Sequence, residues 1–181
     1  MLYVCTANIN RSAMAAALTA RSAHQRGVPV RVSSASIMDL SGRPAAPNTL
    51  SVLLGKGIDA SGHRSRTLVP DVLAAADVVL TMERAHLRAA AVLTPDAFAK
   101  TFTLKEFLRR ALEVGPRAAD EPVAAYLARV GAGREPSALL TDDERDEVRD
   151  PQGGPLSGFQ AAVDELELLT QGVLYVLFGV L

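Results

Sequence analysis

The eight residues from Cys5 to Ser12, Cys-Thr-Ala-Asn-Ile-Asn-Arg-Ser, constrain the fold of this chain more than any other stretch. The apolar residues 2–4 before them predict a short buried strand, and the alanine-rich residues 13–20 after them predict a helix that begins near Ser12. A loop of this length between strand and helix can turn successive backbone N–H groups toward one tetrahedral anion at the positive end of the helix dipole. The stretch therefore predicts an anion-binding loop.

Cys5 opens this loop and is the only cysteine of the chain. The helix dipole, the loop N–H groups and the guanidinium of Arg11 all favour its thiolate. Arg11 can bind the same anion through two N–H groups at once. A lone cysteine after an apolar strand is more often a small hydrophobic core residue. The Cys-x5-Arg-Ser spacing in a strand–loop–helix context nevertheless favours Cys5 as a nucleophile.

The stretch from Val4 to Ser12 resembles the active-site motif V-C-x-G-N-x-C-R-S of the low-molecular-weight protein tyrosine phosphatases. Five more segments agree with that family in the same order, namely 32–35, 57–58, 61–66, 76–83 and 150–151. Together the matches cover most of the chain apart from about residues 110–148. The resemblance implies a four-stranded parallel sheet in the order 2-1-3-4, with a phosphate-binding loop between strand 1 and helix 1.

The rest of the chain alternates between short apolar segments and segments of helical spacing. Strands are predicted at 29–34, 78–82 and 101–104, and helices at 49–56, 83–92, 105–113 and 156–178. This alternation is typical of an α/β fold with three layers, α/β/α, in which helices cover both faces of a parallel sheet. Ligands bind such sheets at the carboxyl ends of the strands. Cys5, Ser34 and Glu83 each follow a predicted strand and are therefore expected at that edge.

Residues 1–181 are expected to form one domain, because a chain of this length is large enough to bury a single core. Residues 114–149 are rich in glycine, proline, alanine and charged residues. They are longer than the family pattern, and we expect a family-atypical insertion there that forms loop or extra helix. The acidic residues 142–147 are expected to lie on a solvated face.

A phosphatase that attacks phosphorus with a thiolate also needs an acid to protonate the leaving oxygen. Asp150 precedes a proline, which keeps the backbone at Asp150 extended, and Gly153-Gly154 supplies a turn that can present the carboxyl group. An Asp-Pro pair alone more often marks a turn into a helix. Because the family has a matching Asp-Pro, we predict Asp150 as general acid in the first step and as the base that activates water in the second.

The other loop residues are predicted to bind the phosphate group; they are Thr6, Ala7, Asn8, Ile9, Asn10 and Ser12. Ser12 can also donate a hydrogen bond to the Cys5 sulfur, which favours the thiolate. Asn8 is expected at a left-handed turn, a conformation that asparagine tolerates. The resemblance implies that Ser34 and His63 hold Asn8 in a buried network.

The two remaining histidines, His24 and His86, are expected at the surface. The sequence contains no cluster with metal-ligand spacing. A mechanism that uses a thiolate and an aspartate needs neither a metal nor a cofactor, and none is predicted.

The chain departs from the family motif at several positions. Ala7 stands in place of the motif glycine, Asn10 in place of its second cysteine, and Ala13 in place of its usual proline. A methyl group at position 7 would strain the loop if that residue needed a positive φ. The family often has aromatic residues after the Asp-Pro pair, whereas this chain has Gln152 and Gly153. The departures leave the level of activity and the preference for phosphotyrosine open.

The charge of the chain predicts local rather than global recognition of a partner. There are 19 Lys and Arg residues against 20 Asp and Glu residues, so no overall field attracts nucleic acid or an acidic membrane. The partner is expected to be a phosphorylated protein or a small aryl phosphate, with phosphate or another oxyanion bound in the loop. A reactive lone thiol and the lack of a recognisable signal peptide favour the cytoplasm.

Three functions fit these observations. The first is a cysteine-dependent phosphatase that hydrolyses phosphotyrosine in proteins or aryl phosphomonoesters through a phosphocysteine intermediate. The second is an arsenate reductase of the same fold that uses an external small thiol, because the chain has no second cysteine. The third is a catalytically impaired anion-binding regulatory protein, which Ala7 and Asn10 favour but the retained Cys5, Arg11 and Asp150 argue against.

Overall fold

The sheet has the predicted architecture. The structure is a computed structural model that describes residues 1–180, apart from the side chain of Ala138. Its four strands are β1 (Leu2–Cys5), β2 (Ser33–Ser36), β3 (Val79–Thr81) and β4 (Thr101–Thr103). All pairings are parallel, and the order β2-β1-β3-β4 is the predicted 2-1-3-4. The phosphate-binding loop lies between β1 and the first helix, as expected.

Seven α-helices lie among the described residues. They are α1 (Arg11–Gln25), α2 (Pro47–Gly55), α3 (Pro70–Ala74), α4 (Arg84–Leu93), α5 (Leu104–Val114), α6 (Val123–Val130) and α7 (Leu156–Phe178). The described residues also form three 3₁₀ segments, at Pro95–Lys100, Pro136–Leu140 and Glu144–Asp146. The bounds of α7 are those predicted from its apolar spacing. No helix within residues 1–180 is long and apolar enough to cross a membrane.

Two hydrophobic clusters lie between the sheet and the helices, one on each face of the sheet. β1 is buried on both faces, which explains why its sequence is a continuous apolar run. Tyr3 and Cys5 belong to the cluster that α1, α5 and α7 cover, while Leu2 and Val4 belong to the cluster beneath α3 and α4. The alternation of β1 thus places Cys5 on the same face as α1, the helix that its loop enters.

The second strand begins later than predicted. Residues 29–32 are outside it, because Val30 N–H bonds the carbonyl of Val28 in a local turn and pairing with the sheet starts where Ser33 N–H bonds the carbonyl of Met1. Apolar residues without a partner strand do not form a strand. Ser34 consequently lies inside β2, opposite Tyr3, and it is Ser36 that pairs with Cys5.

Residues 114–149 contain one helix, α6, and two of the 3₁₀ segments. α6 buries Tyr126, Leu127 and Val130 in the main core. The prediction that the acidic run is a solvated face is wrong for Asp146, whose side chain is 2% exposed. Its carboxylate pairs with Arg84 at 2.7 Å and with Arg109 at 2.9 Å. Two arginines from α4 and α5 compensate the buried charge, which the sequence of the run itself cannot reveal.

Candidate active site

The loop between β1 and α1 turns at Asn8. This residue has φ of +55° and is the only non-glycine residue with a positive φ among those described. Its side chain stabilises the turn, since Nδ2 donates to Ser12 Oγ at 2.9 Å and Oδ1 accepts from the backbone N–H of Arg66 at 3.1 Å. The left-handed turn predicted at Asn8 is therefore present, and the residue is fully buried.

The predicted supporting residues reach Asn8 in two ways. His63 Nε2 lies 2.7 Å from the backbone oxygen of Asn8, so this contact is direct. Ser34 contributes through its backbone, because its carbonyl accepts a bond from Arg66 Nε at 2.8 Å while the Arg66 amide binds Asn8. The sequence did not indicate Arg66 as the connecting residue.

The sulfur of Cys5 has two polar neighbours in the loop. Ser12 Oγ lies 3.0 Å away, and the backbone N–H of Asn8 donates to the sulfur at 3.3 Å. Ser12 is the second residue of α1, so its hydroxyl and the helix dipole act on the sulfur from the same side. Cys5 is only 3% exposed. These contacts place one hydroxyl and one backbone N–H against the sulfur at the floor of the loop.

Arg11 connects the loop to two distant segments of the chain. Although it is 1% exposed, its NH1 group donates to Glu83 Oε2 at 2.6 Å and its NH2 group donates to Asp150 Oδ2 at 2.7 Å. NH2 also donates to Thr6 Oγ1 at 3.2 Å. The Nε–H group is buried and has no partner among the described residues. A buried unpaired donor is costly, and an oxyanion in the loop would supply its acceptor.

Asp150 comes to this site from a segment 139 residues further along the chain than Arg11. One carboxylate oxygen accepts from Arg11, and the other accepts from the backbone N–H of Gln152 at 3.0 Å. Its side chain is 36% exposed and therefore in contact with solvent. The three residues predicted for the chemistry, Cys5, Arg11 and Asp150, are thus gathered around one loop. Their arrangement argues against an impaired site.

Sequence reasoning placed Glu83 at the correct edge of the sheet but gave it no role. The structure pairs it with Arg11, as the residue that follows β3 and precedes α4. Sequence reasoning gave no role to His86, and its expectation that His86 lies at the surface is wrong. His86 is fully buried, and its Nε2 lies 2.9 Å from Thr6 Oγ1. A helix that starts at the carboxyl edge turns its first residues toward the site, and this was the available signal.

Burial determines the charge of His86. Desolvation lowers its pKa from 6.5 to about 4, and the nearby positive charge of Arg11 acts in the same direction, while Glu83 partly opposes both. The imidazole is therefore neutral at neutral pH. A neutral ring beside Thr6 adds no second positive charge next to Arg11 and leaves the guanidinium as the cation of the site.

Two departures from the motif can now be described. Ala7 does not have a positive φ, because Asn8 makes the left-handed turn, so the methyl group at position 7 brings no backbone strain of that kind. Asn10 is buried and uses both ends of its amide: Thr49 Oγ1 donates to Oδ1 at 2.8 Å, and Nδ2 donates to Gln152 Oε1 at 2.7 Å. Both ends of its polar side chain thus have a hydrogen-bond partner. Within residues 1–180, no group of three His, Cys, Asp or Glu side chains could hold a metal ion.

Comparison with known proteins agrees with this geometry. The family model described as low molecular weight phosphotyrosine protein phosphatase matches residues 1–123, about two thirds of the chain. The chain belongs to this family. The resemblance drawn from Cys5, Arg11 and the flanking segments is therefore confirmed.

Relatives within the phosphatase family differ in their named substrates. A protein-arginine-phosphatase of Geobacillus stearothermophilus is 34% identical over 170 residues, which covers 93% of this chain and 89% of that protein. The crystal structure of a low molecular weight protein tyrosine phosphatase from T. tengcongensis is 29% identical and superposes with a TM-score of 0.73, covering 96% of this chain and 95% of that chain. A third structure is a cysteine-to-serine variant of the arginine phosphatase YwlE with a phosphorylated active-site serine; it is 27% identical with a TM-score of 0.72 and covers 95% of this chain and 91% of that one.

Proposed function

We propose that this protein hydrolyses phosphotyrosine in proteins, or aryl phosphomonoesters, through a phosphocysteine intermediate. The observation that carries the proposal is the surrounding of the Cys5 sulfur: a hydroxyl at 3.0 Å and a backbone N–H at 3.3 Å, at the start of a helix whose first residue is Arg11. This arrangement suits a thiolate that faces a tetrahedral anion.

The first step is attack of the Cys5 thiolate on phosphorus. The S–P bond forms while the P–O bond to the substrate breaks, and Asp150 gives its proton to the departing oxygen. Arg11 and the loop N–H groups bind the remaining oxygens, whose charge they stabilise. The orphaned Nε–H of Arg11 would find its acceptor there.

The second step returns the enzyme to its starting state. Asp150, now a carboxylate, accepts a proton from water, and the resulting oxygen nucleophile attacks phosphorus as the S–P bond breaks. Ser12, 3.0 Å from the sulfur, donates its hydrogen bond to the leaving thiolate. Phosphate is then released from the loop.

An apolar residue in the loop supports an aryl substrate. Ile9 is the only large apolar side chain between Thr6 and Ser12, and it is partly exposed. Such a side chain beside a bound phosphate offers a surface for an aromatic ring.

A second candidate substrate is phosphoarginine in proteins. It is supported by the relative that is 34% identical over 93% of this chain and is named a protein-arginine-phosphatase. Matched peptides that carry phosphotyrosine or phosphoarginine at the same position distinguish the two: the proposal expects a higher kcat/KM for the phosphotyrosine peptide. A reversed ratio would assign the arginine activity instead.

The decisive test of the chemistry is Cys5→Ser. The variant is expected to lose measurable hydrolysis of para-nitrophenyl phosphate, because an uncharged hydroxyl without an adjacent base is a poor nucleophile. It should still bind phosphate, measured by calorimetry, because the loop and Arg11 are unchanged. Turnover by the variant at a rate near that of the wild type would refute the role of Cys5.

A further inference from the structure

The side chain of Asn10 does not do what its position favours. Asn10 is the N-cap residue of α1, where asparagine usually accepts a hydrogen bond from the first turn of its own helix. It makes no such bond. Its amide instead joins Thr49 on α2 to Gln152, at 2.8 Å and 2.7 Å. Asn10 is 4% exposed and Thr49 is fully buried. The bond from Thr49 to Oδ1 therefore fixes the orientation of the amide, whose Nδ2 donates to Gln152.

Gln152 connects this fixed amide to the residue proposed as general acid. Its backbone N–H donates to Asp150 Oδ1 at 3.0 Å, while its side chain accepts from Asn10. The chain then turns sharply, with Gly154 N–H bonded to the carbonyl of Pro151 and Gly153 at φ of +77°. A turn with two adjacent glycines has little conformational restraint of its own. The Gln152 side chain supplies a restraint by attaching the turn to the start of α1.

We infer that Asn10 and Gln152 are positioning residues for Asp150. The bonds from Thr49 through Asn10 to Gln152 hold the Asp150 turn against the phosphate-binding loop, so that the carboxyl group lies where the leaving oxygen departs. The inference rests on the proposed function, which makes Asp150 the general acid. The inference also assigns a positioning role to Asn10, which stands where the family motif has a second cysteine.

The physical reason is the short range of proton transfer. A general acid acts only within hydrogen-bonding distance of the leaving oxygen, and displacements of about 1 Å can cost up to roughly a hundredfold in rate. Arg11 also binds Asp150, at 2.7 Å, but Arg11 must bind the phosphate during the reaction. Gln152 bonds Asn10 and Asp150 rather than Arg11, so its restraint on Asp150 does not depend on the partner that Arg11 binds.

The test compares Gln152→Ala with the wild type on aryl phosphates whose leaving groups differ in basicity. Gln152 is exposed, so the variant should fold. We expect kcat to fall roughly tenfold for the most basic leaving group, a part of the 10²–10⁴ that a positioned acid contributes. For leaving groups that need no proton, the fall should be less than about twofold. An equal fall across the series would overturn the inference.

Two further variants sharpen the result. Gln160→Ala is the matched control, because Gln160 is also an exposed glutamine and bonds Asp164 on α7, away from the turn; it should leave the whole series unchanged. In an Asp150→Asn background, Gln152→Ala should have almost no further effect on kcat, since the acid that it positions is already absent. Multiplicative losses in the double variant would contradict the inference.

Amide hydrogen exchange tests the inference without any use of activity. In the wild type the backbone N–H of Gln152 is bonded to Asp150, and we expect its exchange to accelerate several-fold in Asn10→Ala, which removes the partner of the Gln152 side chain. Unchanged exchange in a folded Asn10→Ala would overturn the inference. If instead the wild type hydrolyses none of the aryl phosphates while the exchange changes as expected, the proposed function fails and the connection between Asn10 and the turn stands.

Discussion

At the scale of single residues, the site depends on which groups share the guanidinium of Arg11. Glu83 and Asp150 each bind one of its terminal nitrogens, at 2.6 Å and 2.7 Å. The two carboxylates differ in setting, since Glu83 follows the central strand β3 whereas Asp150 lies in a glycine-rich turn. This difference fits a fixed partner in Glu83 and a proton donor in Asp150.

Asp150→Asn should slow the reaction by roughly 10²–10⁴-fold for basic leaving groups, because the amide cannot give up a proton. The loss should shrink as the leaving group becomes less basic. Steady-state kinetics on the same aryl phosphate series measures both effects. If instead the rate fell by one factor for every leaving group, Asp150 would act only as a structural partner of Arg11.

Oxidation of Cys5 should be harder to reverse here than where a second thiol lies nearby. Asn10 occupies the place of the second motif cysteine, and the chain has no other cysteine, so a sulfenic acid at Cys5 must wait for an external thiol. Peroxide without added thiol should therefore drive Cys5 to sulfinic acid, detected by mass spectrometry.

The variant Asn10→Cys supplies the comparison. Its inactivation by peroxide should be largely recoverable with dithiothreitol, when recovery is expressed relative to the starting activity of each protein. That reference is needed because the substitution also removes the bond to Gln152. Full recovery of the wild type after long exposure without thiol would contradict the prediction that oxidised Cys5 has no second thiol with which to form a disulfide.

At the scale of elements, α7 supports the site from behind by packing on α1, α2 and α5. Two glycines inside this helix have different surroundings. A Cβ atom added at Gly158 would meet nothing within 4 Å, whereas one added at Gly172 would lie 2.9 Å from both δ-carbons of Leu108 on α5. Gly172 therefore allows close approach of the two helices, and Gly158 does not serve that purpose.

The two glycine-to-alanine variants should change the free energy of unfolding in opposite directions. Gly158→Ala is expected to raise the free energy of unfolding by about 0.5 kcal/mol, because alanine loses less backbone entropy in a helix. Gly172→Ala gains the same amount but must displace Leu108, and overpacking of this kind costs about 1–3 kcal/mol. Urea unfolding of both variants gives the comparison. Equal stabilisation by both would mean that Leu108 yields freely.

At the scale of the whole molecule, the buried histidine links stability to pH. His86 has a pKa of about 4 in the folded protein and about 6.5 when unfolded. The unfolded chain therefore binds the proton of this histidine more tightly than the folded protein does. The contribution of neutral His86 to the free energy of unfolding is complete above pH 6.5 and is lost as the pH falls through 4. A shift of this size corresponds to about 3 kcal/mol.

His86→Gln should flatten the pH dependence of stability between pH 7 and 4, because glutamine does not titrate and can still bond Thr6. Urea midpoints at several pH values measure this slope. His24→Gln is the matched control: His24 is exposed in the last turn of α1, and the variant should keep the slope of the wild type. An unchanged slope in His86→Gln would show that burial does not suppress protonation of His86.

Much of this protein follows from local sequence. The period of apolar residues determines the alternation of strands and helices, and hence the parallel sheet. The geometry of the loop was equally predictable, because strand, loop and helix are contiguous: Cys5, Asn8 and Arg11 lie within seven positions, and their arrangement depends on short-range backbone constraints. Asp150 was found only with help from the resemblance.

Contacts between distant segments were decided by the tertiary structure. The burial of His86 and Asp146 depends on which elements pack over them, and the residues next to them in sequence do not determine that packing. The start of β2 at Ser33 depends on where β1 offers unpaired backbone groups. The bond between Asn10 and Gln152 joins residues 142 positions apart. Local propensity acts over a few residues, whereas burial, pairing and charge compensation are properties of the folded chain, and these complete the site around Arg11.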